Sequence, residues 1–166
     1  MIRRRTLAWL GLAPAALLGV PWSRAAAPDT ASRRIALVIG NAQYEGGGHR
    51  VLKNPANDAR LIGQTLASLG FEVQTHLNLP REQMAERVQA FAGALPAGAT
   101  ALVFYAGHGV QLAGANYLIP VDVRAGSEQS VRIQAYPLRS LLEALSASPS
   151  AVNIVVLDAC RDNPFQ

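Results

Sequence analysis

The sequence predicts an α/β domain with a mainly parallel β-sheet and helices on both faces. Short, continuously apolar segments such as Ile35–Ile39 and Ala101–Tyr105 alternate with longer segments whose apolar residues repeat at helical spacing. Continuous apolar runs are typical of strands that are covered on both faces. Because strands alternating with helices form right-handed βαβ units, functional side chains are expected beyond the carboxyl ends of the strands.

The first half of the domain predicts two strand–helix pairs. The strand at Ile35–Ile39 precedes a helix that begins at Pro55 and ends at Gly70, since proline suits the first helical position and glycine the end of a helix. A second strand spans Phe71–Thr75, and a second helix begins at Pro80. The apolar positions are Leu61, Ile62, Leu66 and Leu69 in the first helix and Met84, Val88, Phe91 and Leu95 in the second.

The second half predicts two further strands and one helix. The third strand, Ala101–Tyr105, is followed by a hairpin or irregular excursion over Val110–Val121, which Gly114 interrupts. The fourth strand spans Val152–Leu157. The third helix is predicted from the spacing of Leu138, Leu141, Leu142 and Leu145.

The charge of the chain is concentrated at its amino terminus. The 166 residues carry 15 basic and 11 acidic side chains, a net charge of +4. Four of the basic residues, Arg3, Arg4, Arg5 and Arg24, precede the first acid, Asp29. Without residues 1–25 the basic and acidic side chains balance, so binding of nucleic acid by bulk electrostatics is not expected.

Residues 1–25 predict a signal peptide. Basic residues precede an apolar run from Thr6 to Val20, and small residues, Ser23 and Ala25, occupy the positions before the expected cleavage site. The run is shorter than the roughly 20 residues of a membrane-spanning helix, so we expect export to the periplasm or secretion and no stable membrane span. Residues 26–33 are expected to form a linker, and residues 34–166 one domain.

Two side chains that suit nucleophilic catalysis follow neighbouring strands of the predicted sheet. His108 comes directly after the third strand, and Cys160, the single cysteine of the chain, after the fourth. Their separation of 52 residues is bridged if the two strands are adjacent and parallel. An imidazole beside a thiol activates it as a nucleophile, and the backbone N–H groups of Gly109 and Cys160 are the expected oxyanion-hole donors.

The segments around these residues resemble motifs of a known family. Tyr105–Gly109 (YAGHG) and Asp158–Phe165 (DACRDNPF) resemble the histidine and cysteine motifs of the caspase-like cysteine peptidases, peptidase family C14, p20 large subunit. The resemblance is closest to the bacterial metacaspase-like branch and runs from about Arg34 to Phe165. It implies a three-layer caspase-like sandwich and a catalytic dyad of Cys160 and His108.

The same resemblance implies a substrate preference. Peptidases of the metacaspase-like branch cleave after Arg or Lys, and Asp58 and Asp158 match the positions of the acids that line their S1 pocket. Charge-assisted hydrogen bonds from two carboxylates suit a cationic side chain. For Asp58, a structural role in the first turn of a helix is an equal alternative. The expected partners are therefore protein or peptide substrates.

The sequence also favours two alternatives. The small-subunit strands of the family are missing after Cys160, so the chain is expected to be a fragment, or to be an inactive caspase-like interaction module, or to need a complementary small-subunit-like chain. A third hypothesis is a flavodoxin-like ligand-binding domain in which Cys160 is inert. No cofactor or metal is predicted, because Asp122 and Asp162 are scattered and His49 and His76 have no ligand-spaced partner.

Overall fold

The computed structural model of the protein describes residues 33–45, 51–124 and 127–159. Residues 1–32, with the predicted signal peptide and most of the linker, lie outside the described residues, as does Cys160. The elements in chain order are β1 (Arg34–Gly40), α1 (Pro55–Ser68), β2 (Phe71–Leu77), α2 (Arg81–Ala94), β3 (Thr100–Ala106), β4 (Gly109–Leu112), β5 (Ala115–Leu118), α3 (Glu128–Gln134), β6 (Tyr136–Pro137), α4 (Leu138–Ser146) and β7 (Val152–Asp158).

The predicted α/β architecture is confirmed. Four strands form a parallel sheet in the order β2-β1-β3-β7. β3 and β7 are neighbours, as the sequence predicts for the strands that precede His108 and Cys160. The carboxyl ends of β1, β3 and β7 therefore meet at one edge of the sheet, where the site is expected.

Helices cover both faces of this sheet. α2 and α4 pack on one face, where Leu37, Val103 and Tyr105 are fully buried together with the predicted apolar stripe of α2. That stripe, Met84, Val88, Phe91 and Leu95, is at most 4% exposed. α1 packs on the other face against Val38 and Phe104. The result is the three-layer arrangement that the alternating pattern predicts.

The first helix packs differently from the prediction. Leu61 and Leu69 are 62% and 57% exposed, and the buried face of α1 consists of Pro55, Ala59, Gly63 and Leu66. A Cβ at Gly63 would lie 2.7 Å from Oγ1 of Thr75 on β2. Small residues therefore let α1 approach the sheet closely, a pattern that a search for large apolar residues misses. Leu142 of α4, also expected in the core, is 44% exposed.

A small antiparallel sheet, β4-β5-β6, lies beyond β3. The hairpin of β4 and β5 confirms the predicted excursion, and it turns through Ala113 and Gly114, both with positive φ. α3 and β6 were not predicted. They are short, and α3 buries only Val131. Among the described residues, no helix combines the length and apolar character needed to cross a membrane.

Candidate active site

The carboxyl ends of β3 and β7 are joined by backbone pairing and by one further hydrogen bond. Each residue of β3 pairs with the residue 52 positions later in β7, from Thr100 with Val152 to Ala106 with Asp158. The N–H of Gly107 then donates to the carbonyl of Asp158 at 3.2 Å. His108 and Cys160 are separated by the same 52 positions, so both follow this register by two residues.

A cleft of about 430 Å³ opens at this edge of the sheet. It brings together three of the predicted site residues, His108, Asp58 and Asp158. The residue before Cys160, Ala159, also lines it, whereas Cys160 itself and its N–H group lie outside the described residues. The assigned catalytic and substrate-binding roles of these residues stay predictions.

His108 is held in place by two tyrosines. Its backbone N–H donates to the hydroxyl of Tyr44 at 2.8 Å, and its carbonyl accepts from the hydroxyl of Tyr105 at 2.8 Å. The Tyr44 ring also lies against the imidazole, with ring centroids 4.6 Å apart. Burial raises the pKa of Tyr44 to about 12 and raises that of Tyr105 as well. Both phenols therefore stay neutral near pH 7 and are available as fixed hydrogen-bonding groups.

Gly107 allows these phenols to approach the backbone. Its φ is +156°, and an added Cβ would lie 2.7 Å from the hydroxyl oxygens of both Tyr44 and Tyr105. Any side chain here would displace at least one of the two groups that hold His108. The glycine before the histidine thus serves the packing of the site as well as the turn.

The backbone N–H of Gly109 points away from the neighbouring strand. The N–H of Ile119 donates to the carbonyl of His108 at 3.0 Å, which makes Gly109 and its partner Leu118 a pair without mutual hydrogen bonds. The Gly109 N–H is therefore not used by β5. Its predicted role as an oxyanion-hole donor stays a prediction.

Two carboxylates and one ammonium group line the cleft. Asp58 is half-buried in the first turn of α1, and Asp158 is exposed at the end of β7. Neither carboxylate makes a hydrogen bond or an ion pair within the described part of the chain. Lys53, the single lysine of the chain, lines the same cleft and opposes part of their charge. Asp58 therefore lies both in the first turn of α1 and in the wall of the cleft, so its two predicted roles, in the helix and in substrate binding, are compatible.

Asn41 joins the loops behind the site. It is fully buried, and its side-chain oxygen accepts from the N–H of Leu79 at 2.9 Å while its amide nitrogen donates to the carbonyl of Ile119 at 3.2 Å. In the sequence, Gly40-Asn41 is recognisable only as a strand end, and no pattern marks Tyr44 or Lys53 as site residues. Only the unusual position of a polar residue directly after a buried strand signals Asn41.

A second, smaller cavity of about 70 Å³ adjoins the first on the side of α4. It shares Ala159 with the cleft and is lined mainly by apolar residues of the β4–β5 hairpin, α4 and β7. Among the described residues, no group of three or more His, Cys, Asp or Glu side chains is placed to hold a metal ion.

Comparisons with known proteins agree with this arrangement. A family model described as "Caspase domain", of Peptidase C14, matches residues 33–166. The mucosa-associated lymphoid tissue lymphoma translocation protein 1 of Homo sapiens and its homologue of Mus musculus are each 32% identical over 133 residues, which cover 79% of this chain. The matched region is 15% of the length of each of these relatives.

Among solved structures, the crystal structure of protein GSU0716 from Geobacter sulfurreducens is similar, with a TM-score of 0.59 at 20% identity. The likeness covers 77% of this chain and 50% of that chain. At this identity the comparison supports the fold alone.

Proposed function

Since this chain belongs to the caspase-domain family of peptidases, peptidase C14, we propose that it is a cysteine endopeptidase that cleaves after Arg or Lys. Cys160 is the nucleophile and His108 the general acid and base. The observation that carries this proposal is the register of β3 and β7, whose constant offset equals the separation of His108 and Cys160.

The proposed reaction has two steps. In the first, the Cys160 thiolate attacks the carbonyl carbon of the scissile bond, the C–N bond breaks, and His108 gives its proton to the departing amine. In the second, His108 takes a proton from water, the resulting hydroxide attacks the thioester, and the acid product leaves as the thiolate is restored. The N–H groups of Gly109 and Cys160 stabilise the oxyanion in both steps.

The acidic lining of the cleft supports the preference for a basic residue at P1, the residue on the amino side of the scissile bond. Asp58 and Asp158 have no partner of opposite charge among the described residues, and both reach the cleft that His108 lines. Asp158 stands where the caspase cysteine motif has Gln, which favours the metacaspase-like branch within the family. Lys53 in the same wall weakens the negative potential without cancelling it.

Hydrolysis of peptides that differ only at P1 tests this proposal. We expect cleavage with Arg and Lys, none with Asp, and complete loss in Cys160→Ala and His108→Ala with unchanged circular dichroism. Asp158→Asn and Asp58→Asn should each lower kcat/KM for the Arg peptide by roughly tenfold or more, since a hydrogen bond to a charged group is worth about 1.5–3 kcal/mol. Glu143→Gln, on the exposed surface of α4, is the matched control. Cleavage that survives Cys160→Ala would contradict the proposal.

An exposed apolar face of β7 supports the alternative function that the sequence suggests, a caspase-like interaction module or a domain that needs a complementary chain. Val152, Ile154 and Val156 of β7 are 39–47% exposed, an apolar sheet face that suits a caspase-like interaction module or a domain completed by a complementary chain. This alternative expects no hydrolysis by the chain alone and hydrolysis, or a stable complex, when that chain is supplied. Size-exclusion chromatography beside the peptide assay distinguishes the two.

Export is a separate proposal, which rests on residues 1–25 of the sequence. Expression of the full chain in a bacterial host should give a periplasmic or secreted product whose amino terminus, by mass spectrometry, is Ala26. Retention in the cytoplasm with residues 1–25 intact would contradict it.

A further inference from the structure

We propose that Lys53 restricts the cleft to a single basic residue of the substrate, so that a second Arg or Lys beside P1 gives no gain in cleavage. The inference rests on the proposed peptidase activity and adds a substrate class to it, namely sequences with one basic residue and not with a basic pair. Lys53 is then a specificity-determining residue of the site.

Three charged side chains line the cleft beside His108. Asp58 and Asp158 supply two carboxylates, and Lys53 supplies one ammonium group. Two negative charges and one positive charge leave the wall with a formal charge of −1. No other Asp, Glu, Lys or Arg is among the described residues that line the cleft. One cation on the substrate therefore neutralises this wall, and a second cation finds no unmatched negative charge.

The charge of Lys53 is not neutralised within the fold. In the ranges 33–45, 51–124 and 127–159, its ammonium group makes no ion pair, and the residue is exposed. If Lys53 were paired with Asp58 or Asp158, that pair would already have removed one carboxylate from the site. The positive charge is instead available to act on the substrate that enters the cleft.

The backbone on both sides of Lys53 is anchored. The N–H of Leu52 donates to the carbonyl of Ala42 at 3.0 Å, and Leu52 packs against the core cluster that contains Tyr44. Two residues after Lys53, Pro55 is buried and begins α1. The ammonium group moves on a flexible four-carbon stem, but the anchored backbone keeps its Cα in the wall of the cleft.

The range of electrostatic forces extends this effect to both neighbours of P1. Adjacent residues of a peptide have Cα atoms about 3.8 Å apart, whereas the screening length is about 10 Å at 0.1 M salt. A side chain on either side of P1 therefore experiences the charges of the cleft wall. Juxtaposed like charges lower affinity, and proteins use such repulsion to exclude unwanted partners.

Removal of the ammonium group should convert the cleft into a site for paired basic residues. In Lys53→Gln, one negative charge remains after the P1 cation has bound, and it attracts a second Arg or Lys. In Lys53→Glu the remaining negative charge is larger, so the attraction should be larger too. Lys53→Arg keeps the positive charge and should behave as the wild-type chain does.

The test uses peptides with Arg at P1 and either Arg or Gln at one neighbouring position, P2 before it or P1′ after it, in otherwise identical sequences. The measured quantity is the ratio of kcat/KM for the Arg neighbour to kcat/KM for the Gln neighbour. We expect a wild-type ratio of about one or lower. At one or both positions it should rise about three- to fivefold in Lys53→Gln, the effect of an exposed charge pair, and further in Lys53→Glu.

Ionic strength and a remote cation supply the controls. An increase in NaCl from about 0.02 M to about 0.5 M shortens the screening length and should reduce the difference between Lys53→Gln and the wild-type chain. Arg87→Gln removes the same charge from the exposed surface of α2, outside the lining of the cleft, and should keep the wild-type ratio. An equal rise in Arg87→Gln would contradict a specific role of Lys53.

Two further results would overturn the inference. One is a wild-type ratio well above one. The other is an unchanged ratio in Lys53→Gln, including the case in which both peptides are cleaved faster by the same factor, because Lys53 then only shields the carboxylates. Each of these results requires cleavage and therefore leaves the proposed peptidase intact. Absence of cleavage in the whole set contradicts the peptidase itself, and the role of Lys53 with it.

Discussion

The two strands that precede the proposed catalytic pair differ in how the protein supports them. β3 lies between β1 and β7, and its residues Val103 and Tyr105 are fully buried. β7 pairs only with β3 among the described residues, and Val152, Ile154 and Val156 are 47%, 39% and 43% exposed. The proposed base therefore follows a strand that is paired on both sides, whereas the strand before the proposed nucleophile has one pairing among the described residues.

This difference indicates a division of roles within the site. A buried network of Tyr44, Tyr105 and Gly107 fixes the backbone of His108 before any substrate binds, which is the preorganisation that catalysis needs. Because one face of β7 is exposed, the stability of that strand depends more on any segment or partner that covers this face. A complementary chain would therefore act by covering the exposed face of β7 and stabilising that strand.

Gly107→Ala should have the largest effect on the well-supported side. The new Cβ would lie 2.7 Å from two phenol oxygens, and the alanine would be held at a φ that is unfavourable for it. We therefore expect a loss of about 2–5 kcal/mol in the free energy of unfolding. Urea denaturation measures it. Gly114→Ala is the matched control, because its φ is +81° but nothing lies within 4 Å of the added Cβ. An equal effect at both glycines would show that the phenols are not the constraint.

Valine truncations compare the two strands directly. Val103→Ala removes two buried methyl groups and should cost about 2–3 kcal/mol, while Val156→Ala on the exposed face of β7 should cost less than about 1 kcal/mol. Urea midpoints of the two variants provide the comparison. If a further segment or partner covers β7, the cost of Val156→Ala rises in its presence, and equal costs in the chain alone would contradict the account.

Tyr44→Phe tests the contact that holds His108. Loss of the hydroxyl leaves the His108 N–H without its acceptor, which should cost about 1–2 kcal/mol of stability and lower kcat more than it raises KM. Tyr136→Phe is the control, since its hydroxyl makes no hydrogen bond in the part of the chain that the structure describes. Unchanged kcat in Tyr44→Phe would argue against a positioning role.

The smallest expected effect is the pH dependence of stability that arises from His76 on β2, the other edge strand of the sheet. Burial, with a contribution from the charge of Arg87, lowers the pKa of His76 below its usual value of 6.5, and its Nε2 has no hydrogen-bond partner among the described residues. The unfolded chain then binds the proton more readily, so stability is unaffected above pH 6.5 and falls as the pH decreases through the lowered pKa. His76→Gln should remove this slope between pH 7 and pH 5 in urea midpoints, and an identical slope in both proteins would contradict the assignment.

Periodicity predicted most of the fold because the sheet is parallel and its central strands, β1 and β3, are buried. The stripe of α2 and the runs of β1 and β3 are apolar on every inward position, so each element is recognisable alone. α1 deviates because it packs on the sheet through Ala59, beside Gly40, and through Gly63, beside Thr75, and such small residues give no hydrophobic signal. α3 and β6 are short, and contacts with the hairpin beside them stabilise both elements. Such contacts are not visible in the local sequence.

The site was predictable where a strand end carries it and, for Asp58 in the first turn of α1, where the family resemblance identifies it. His108, Asp158 and Gly109 follow strands that the pattern identifies, so their convergence could be inferred. Tyr44 and Lys53 reach the site from the loop between β1 and α1, and the sequence contains no periodic signal for a loop. The smaller apolar cavity beside the cleft is lined by three parts of the chain that are distant in sequence, so only the structure indicates it.

Covalent labelling by an arginyl chloromethylketone tests directly whether Cys160 is a reactive nucleophile beside a site for a basic side chain. The thiolate of Cys160 displaces chloride from the reagent and forms a stable thioether, which peptide mapping by mass spectrometry locates. We expect stoichiometric modification at Cys160 in the wild-type chain, strong slowing in His108→Ala and in Asp158→Asn, and no comparable labelling by an aspartyl reagent. Equal labelling by both reagents, or no modification of Cys160 in a folded chain supplied with any complementary chain, would contradict it.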